Sequence, residues 1–142
     1  MLLIFFSTTN LTYAENEYPF TVPNIDASSY ALLDVKSGSI IAGKNLDKKV
    51  EPASLTKIAT LYLVFKSLES KYISENDYVT ISKKAWKMVG SRMFVEVGKK
   101  VQVRDLIQGV IVQSGNDASC AIAEHVAASE EGFVELMQMY LL

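Results

Sequence analysis

The sequence has 142 residues, 49% of them hydrophobic and 21% charged, which is the composition of a globular chain about one domain long and not of a disordered one. A net charge of -2, with no run of Lys or Arg, provides no basic surface for a phosphate backbone and argues against a nucleic-acid partner. One cysteine (Cys120) and one histidine (His125) are too few for a structural zinc site, the usual catalytic zinc sites or a disulfide framework.

At the N-terminus a short apolar run, Leu2 to Phe6, is followed by Leu11-Thr12-Tyr13-Ala14 and then by the polar Glu15-Asn16-Glu17. This pattern predicts a secretory signal peptide over residues 1–14, cut after Ala14, although no Lys or Arg precedes the apolar run. A frayed apolar terminus is the alternative. The run is far shorter than the ~20 residues a membrane-crossing helix needs. Residues 15–29, with Pro23, read as a lead-in. Residues 30–35 and 40–44 flank Lys36-Ser37-Gly38-Ser39 and predict a β-hairpin, which needs further sheet or a helix to lie on.

From Pro52 the period becomes helical, with Leu55, Ile58, Ala59, Tyr62 and Leu63 recurring at three- and four-residue spacing as the apolar stripe of a helix ending near Ser67 or Ser70. Residues 77–81 predict a short strand, and residues 93–103, with Gly98 between apolar alternations, a second hairpin or loop pair. Residues 104–113 predict a helix with Leu106, Ile107, Val110 and Ile111 on one face. After a break at Ser114-Gly115-Asn116, Asp117 is placed to cap another helix that runs to about Ser129. A last helix from Glu130 is in mid-pattern at Leu142.

Ser54-Leu55-Thr56-Lys57 sets a hydroxyl and an amine three residues apart, on one side of a helix. Serine becomes a nucleophile when a neighbour takes its proton, and lysine does this when burial or a nearby cation lowers its pKa. The first helical turn also favours developing negative charge. By itself the tetrapeptide is equally compatible with a solvent-facing Ser and Lys on an amphipathic helix. Ser114-Gly115-Asn116 adds a second hydroxyl and an amide in a turn between two apolar helices, where the alternative is ordinary capping of the next helix. Ser74-Glu75-Asn76 has the same pattern but reads as a surface loop. His125 lies on an apolar stripe with Ala121, Ile122 and Val126, as a packed residue does. Neither Cys120 nor Trp86 is assigned a function.

The longer strings Pro52-Ala53-Ser54-Leu55-Thr56-Lys57 and Gln113-Ser114-Gly115-Asn116-Asp117-Ala118, in that order, resemble the low-molecular-mass penicillin-binding proteins that act as D-alanyl-D-alanine carboxypeptidases. The similarity covers roughly residues 21–142, and Gly115 in the middle of the second motif favours this branch over class A β-lactamases. The resemblance implies an α+β fold, the N-terminal part of a β-lactamase/transpeptidase-like domain over residues 30–142, with an antiparallel hairpin and a helical cluster.

It also implies roles for the matching residues. Ser54 attacks the carbonyl between the terminal D-alanines of a peptidoglycan stem peptide, Lys57 is its general base, Ser114 relays a proton to the leaving amine, and Asn116 hydrogen-bonds Lys57 or the substrate amide. β-Lactams acylate Ser54. No metal or organic cofactor is implied, and the site of action is extracytoplasmic, in the periplasm or at the cell wall.

The family's Lys-Thr-Gly triplet, on a later strand that holds the substrate carboxylate and one oxyanion donor, does not occur in residues 1–142. The expectation is therefore an incomplete catalytic domain, inactive and poorly folded alone, with any membrane anchor in a C-terminal part not included. Two alternatives stand beside the enzyme: a β-lactam-binding or sensing module (or β-lactamase-like protein) of the same fold, and a small helical secreted protein whose motifs are coincidences.

Overall fold

The computed structural model describes residues 24–141, so the signal peptide expected at residues 1–14 and the start of the lead-in lie outside it. The described residues divide into two compact units between Val50 and Glu51.

In the first unit β1 (Tyr30–Leu33) pairs antiparallel with β2 (Ile40–Lys44), Tyr30 opposite Lys44 and Leu33 opposite Ile40. This is the predicted hairpin, and its turn is organised by Asp34. The carboxyl accepts the Lys36 N–H at 3.0 Å and the Ser37 hydroxyl at 2.8 Å, while the Asp34 carbonyl accepts the Gly38 N–H at 2.7 Å. Those donors, the Lys36 N–H first, hold the Asp34 carboxyl below the usual range. Gly38 sits at φ +72, left-handed backbone that glycine adopts without a steric penalty.

The second unit opens with a 3₁₀ turn (Ala53–Leu55) that leads into α1 (Thr56–Glu69). It continues through β3 (Tyr78–Thr80), α2 (Lys83–Trp86), β4 (Lys100–Gln102), α3 (Val103–Gln113), α4 (Asn116–Ala127) and α5 (Glu130–Leu141). Helix α4 is its centre and packs against α1, α2, α3, α5 and β3. Its inward residues are small, and Ala118 and Ala121 are fully buried, so neighbouring helices come close and deliver Val64, Leu106 and Phe133 to the core around Ile122. Each such aliphatic or aromatic side chain stabilises the unit by roughly 1.5–3 kcal/mol. At the periphery Lys84 of α2 bridges Glu130 at 2.9 Å and Glu131 at 2.6 Å, which raises the lysine pKa and ties α2 to the first turn of α5. The fold is α+β, as the resemblance implies.

Three expectations are corrected. The stripe Leu55, Ile58, Ala59, Tyr62 and Leu63 is not the buried face of α1: Leu55 and Ile58 are 67% and 68% exposed, and the core takes Thr60, Leu63 and Val64. The stripe turned to α4 runs through Lys57, Thr60 and Val64, and its polar members hide it from a reading of hydrophobicity alone. Residues 93–103 form no local hairpin. Strand β4 instead pairs antiparallel with the distant β3, Val79 opposite Val101, and the pairing continues through Ile81 N–H to the Lys99 carbonyl at 2.9 Å.

Asp117, finally, does not cap α4, whose N-cap is Gly115 with no side-chain hydrogen bond. At 1% exposure, the Asp117 carboxyl accepts the N–H groups of Met93 at 2.9 Å, Val95 at 3.2 Å and its neighbour Ala118 at 2.9 Å. It staples the segment after α2 to the start of α4.

Asp117→Asn keeps the size of the side chain but leaves one acceptor oxygen and turns an NH₂ toward a backbone N–H. The expected loss is about 2–3 kcal/mol of unfolding free energy, measured by urea denaturation.

Candidate active site

Two segments far apart in sequence converge on the amine of Lys57. The first begins at Pro52, in right-handed helical backbone, followed by Ala53 at φ +48. Left-handed backbone costs a residue with a Cβ about 1–2 kcal/mol, so the chain carries strain beside Ser54. The turn leaves Ser54 exposed, and Lys57 lies three residues along, half-buried. Lys57 Nζ is 3.4 Å from Ser54 Oγ, at the long end of a hydrogen bond, and 2.7 Å from Asn116 Oδ1.

The second segment is the α3–α4 turn. Ser114 ends α3 at φ 50, in left-handed backbone, and its N–H reaches the Gly109 carbonyl, which also accepts the Gly115 N–H at 3.1 Å. Both orphan donors of the turn thus converge on one carbonyl. A Cβ on Gly109 would stand 2.3 Å from Met93 Sδ, so a larger residue there requires the Met93 side chain to move. One residue into α4, Asn116 donates from Nδ2 to the Val89 carbonyl at 2.6 Å and from its backbone N–H to the Ser91 carbonyl at 2.8 Å. The Ser91 hydroxyl bonds the Gln113 carbonyl. Asn116 is therefore oriented on one side so that its oxygen meets Lys57 on the other.

Of the four residues singled out from sequence, the structure connects Ser54, Lys57 and Asn116 through the lysine amine. Ser114 lies two residues before Asn116, with its hydroxyl bonded to neither Ser54 nor Lys57 among the described residues. Capping does not account for Asn116, since α4 has no side-chain cap. Ser74-Glu75-Asn76 is a surface turn, with the Ser74 N–H on Asp77 Oδ2 at 2.7 Å and the Asn76 N–H on Ser74 Oγ at 3.3 Å. His125 lies about 13 Å along α4 from Asn116, by the rise of a helix. It faces Asp77, with Nε2 3.7 Å from Oδ2, too far for a hydrogen bond, and takes no part in a Ser-His-Asp arrangement with Ser54. Sequence reasoning missed Val89, Ser91 and Gly109, of which only Gly109, a glycine inside an apolar helix, left a visible trace, and it gave Asp117 a capping role in place of its bonds to Met93 and Val95.

Behind the lysine, Lys57, Thr60, Asn116, Cys120, Phe133 and Met137 line a cavity of about 180 Å³. A roomier cavity of about 610 Å³, lined by Lys66, Glu69, Tyr72 and Tyr140 among others, contains none of the four residues. Among the described residues no group of three or more His, Cys, Asp and Glu is arranged to hold a metal ion. An exposed hydroxyl beside an amine that an amide holds in place is an arrangement suited to nucleophilic acyl transfer.

This site on this helical cluster defines a chain with the penicillin-binding-protein fold. The structure superposes on penicillin binding protein 5 from Haemophilus influenzae with a TM-score of 0.81 and 43% identity, over 86% of this chain and 36% of that one. A second solved structure, penicillin binding protein 6B from Escherichia coli, gives a TM-score of 0.77 at 40% identity over 91% of this chain and 43% of that one.

The chain belongs to the D-alanyl-D-alanine carboxypeptidase family, whose profile matches residues 16–142. It is 45% identical over 130 residues to D-alanyl-D-alanine carboxypeptidase DacC of Escherichia coli K12, covering 87% of this chain and 32% of that protein. It is 40% identical to DacA of Haemophilus influenzae, covering 95% of this chain and 35% of that protein. The chain thus spans about a third of the length of these relatives.

Burial, followed by the charge of Glu124, pushes the Cys120 thiol up to about 12 from its ordinary 9.0. At pH 8 only about 10⁻⁴ of it is thiolate, so iodoacetamide is expected to spare Cys120 in the native protein and to modify it rapidly once denaturant is added, as read by mass spectrometry. The sign for stability follows: the unfolded thiol ionises from pH 9.0 upward while the native one holds its proton to about 12, so this burial favours the native state below pH 9.0 and loses that advantage as pH rises through the interval.

Proposed function

We propose that this chain carries the serine acyl-transfer residues of a D-alanyl-D-alanine carboxypeptidase that trims peptidoglycan stem peptides outside the cytoplasm. The observation that carries the reading is the position of Lys57 Nζ between Ser54 Oγ and Asn116 Oδ1, which joins two motifs 59 residues apart.

Ser54 Oγ attacks the carbonyl carbon between the two terminal D-alanines, and its proton passes to Lys57 Nζ. The tetrahedral intermediate collapses as the C–N bond breaks. The departing D-alanine amine takes that proton back from Lys57, relayed through the Ser114 hydroxyl, and an ester to Ser54 remains. Water then attacks that ester, releasing the shortened peptide as its carboxylic acid and returning the proton to Ser54. Asn116 keeps the Lys57 amine directed at Ser54 throughout, and its anchorage to Val89 and Ser91 makes that direction independent of substrate. A β-lactam presents a strained amide in place of the dipeptide; its opened ring stays attached, so no leaving group vacates the site and the ester lasts.

The test is covalent labelling with a fluorescent penicillin of the protein expressed from its own gene. Wild type is expected to be labelled at Ser54 and Ser54→Ala not at all, with labelling of Ser54→Ala at the wild-type rate as the result that sinks the reading. Lys57→Ala should slow labelling by about 10²- to 10⁴-fold, the worth of a general base. Asn116→Ala should slow it by about ten- to a hundredfold, the worth of the lost hydrogen bond that orients the amine.

A further inference from the structure

We propose that Arg92 is a specificity-determining residue, which pairs with an anionic group on the acyl-donor side of the substrate; the proposal rests on the acyl-transfer reading of Ser54. The segment from Val89 to Val95 is pinned at every second residue. The Val89 and Ser91 carbonyls accept from Asn116, and the Met93 and Val95 N–H groups donate to Asp117. Val95 is buried and Met93 packs on Gly109, which leaves Arg92 half-buried and Phe94 73% exposed.

Phe94 stands at φ 64, in left-handed backbone that an aromatic residue rarely adopts, and its ring lies 4.8 Å from the Arg92 guanidinium carbon. A strained, solvent-facing aromatic is unfavourable twice over, and what it provides is a platform for a cation. The guanidinium has no carboxylate within ion-pair distance among the described residues, although the unit holds ion pairs elsewhere. A planar fork of N–H donors, backed by a ring and short of an anion, matches a carboxylate in two-point fashion.

The position selects which part of the substrate it meets. Arg92 is flanked by Ser91, bonded to Asn116, and by Met93, bonded to Asp117, so its backbone is fixed relative to the amide that holds Lys57. On this proposal the acyl donor runs, toward its own N-terminus, along the segment to which Asn116 is bonded. A carboxylate on that part of the chain meets Arg92.

The experiment measures second-order acylation of Ser54 by two penicillins, identical except that one acyl side chain is neutral and the other ends in a carboxylate. For Arg92→Ala the ratio of the carboxylated to the neutral rate is expected to fall about five- to tenfold, the range of a charge-assisted contact. Arg92→Lys should retain part of the ratio, and Arg92→Glu should shift preference toward a penicillin with an amine on its side chain. An unchanged ratio in Arg92→Ala overturns the proposal. This includes the case in which both rates fall together, which would assign Arg92 to the ring carboxylate common to both compounds. If wild type is not acylated at Ser54 by either penicillin, the acyl-transfer reading itself fails and the Arg92 proposal with it.

Discussion

Lys57 Nζ and Asn116 Oδ1 stand 2.7 Å apart across 59 residues of sequence, and much of the second unit is arranged so that this distance holds. The lysine side depends on α1 turning Lys57, Thr60 and Val64 toward α4. The asparagine side depends on two adjacent residues at the start of α4 whose side chains serve different partners. Asn116 reaches Lys57 and Val89, and Asp117 goes into the core to receive Met93 and Val95. The amide orients the amine, and the acid holds the segment that orients the amide. Met93 of the same segment lies against Gly109, where a Cβ would displace it, so the segment also packs on α3 and the α3–α4 turn is held from both of its helices.

What sequence could and could not disclose follows from which atoms do the work. The contact among Ser54, Lys57 and Asn116 has a trace in the sequence, since the first two are three apart on one helical run and the third follows a turn between two apolar helices that sets it off from the similar triplet at Ser74. Val89 and Ser91 hold Asn116 through backbone carbonyls, which any residue supplies, so no side-chain pattern marks them. The face of α1 was misread for a related reason. Its contacting stripe includes Lys57 and Thr60, whereas the strongly apolar Leu55 and Ile58 look outward. The β3–β4 pairing was hidden because its strands are some twenty residues apart and separated by a helix, while the first hairpin, closed by a short turn with Gly38, was visible at once.

Rigidity and strain are distributed unevenly around Ser54. Asn116 and Asp117 lie in a well-packed helix, while the residue just before Ser54 is in left-handed backbone without being glycine. Ser114 shares that backbone region at the end of α3. The hydroxyls of Ser54 and Ser114, to which the proposed reaction gives the proton transfers, thus sit at or beside tight turns that lift them out of regular helix, whereas Asn116, which holds the Lys57 amine, sits within regular structure. A fixed frame with its reactive groups at strained corners needs little rearrangement as charge develops.

The two ends of the Asn116 amide have opposite hydrogen-bonding obligations, since its oxygen faces an amine and its nitrogen faces the Val89 carbonyl. Aspartate is the nearest shape to asparagine and satisfies the first obligation, but it opposes the Val89 carbonyl with a second oxygen. In the genetic code the two residues are one transition apart, at the first base of the codon. The commonest kind of nucleotide change therefore leads directly from this side chain to one of the same size that repels its own support.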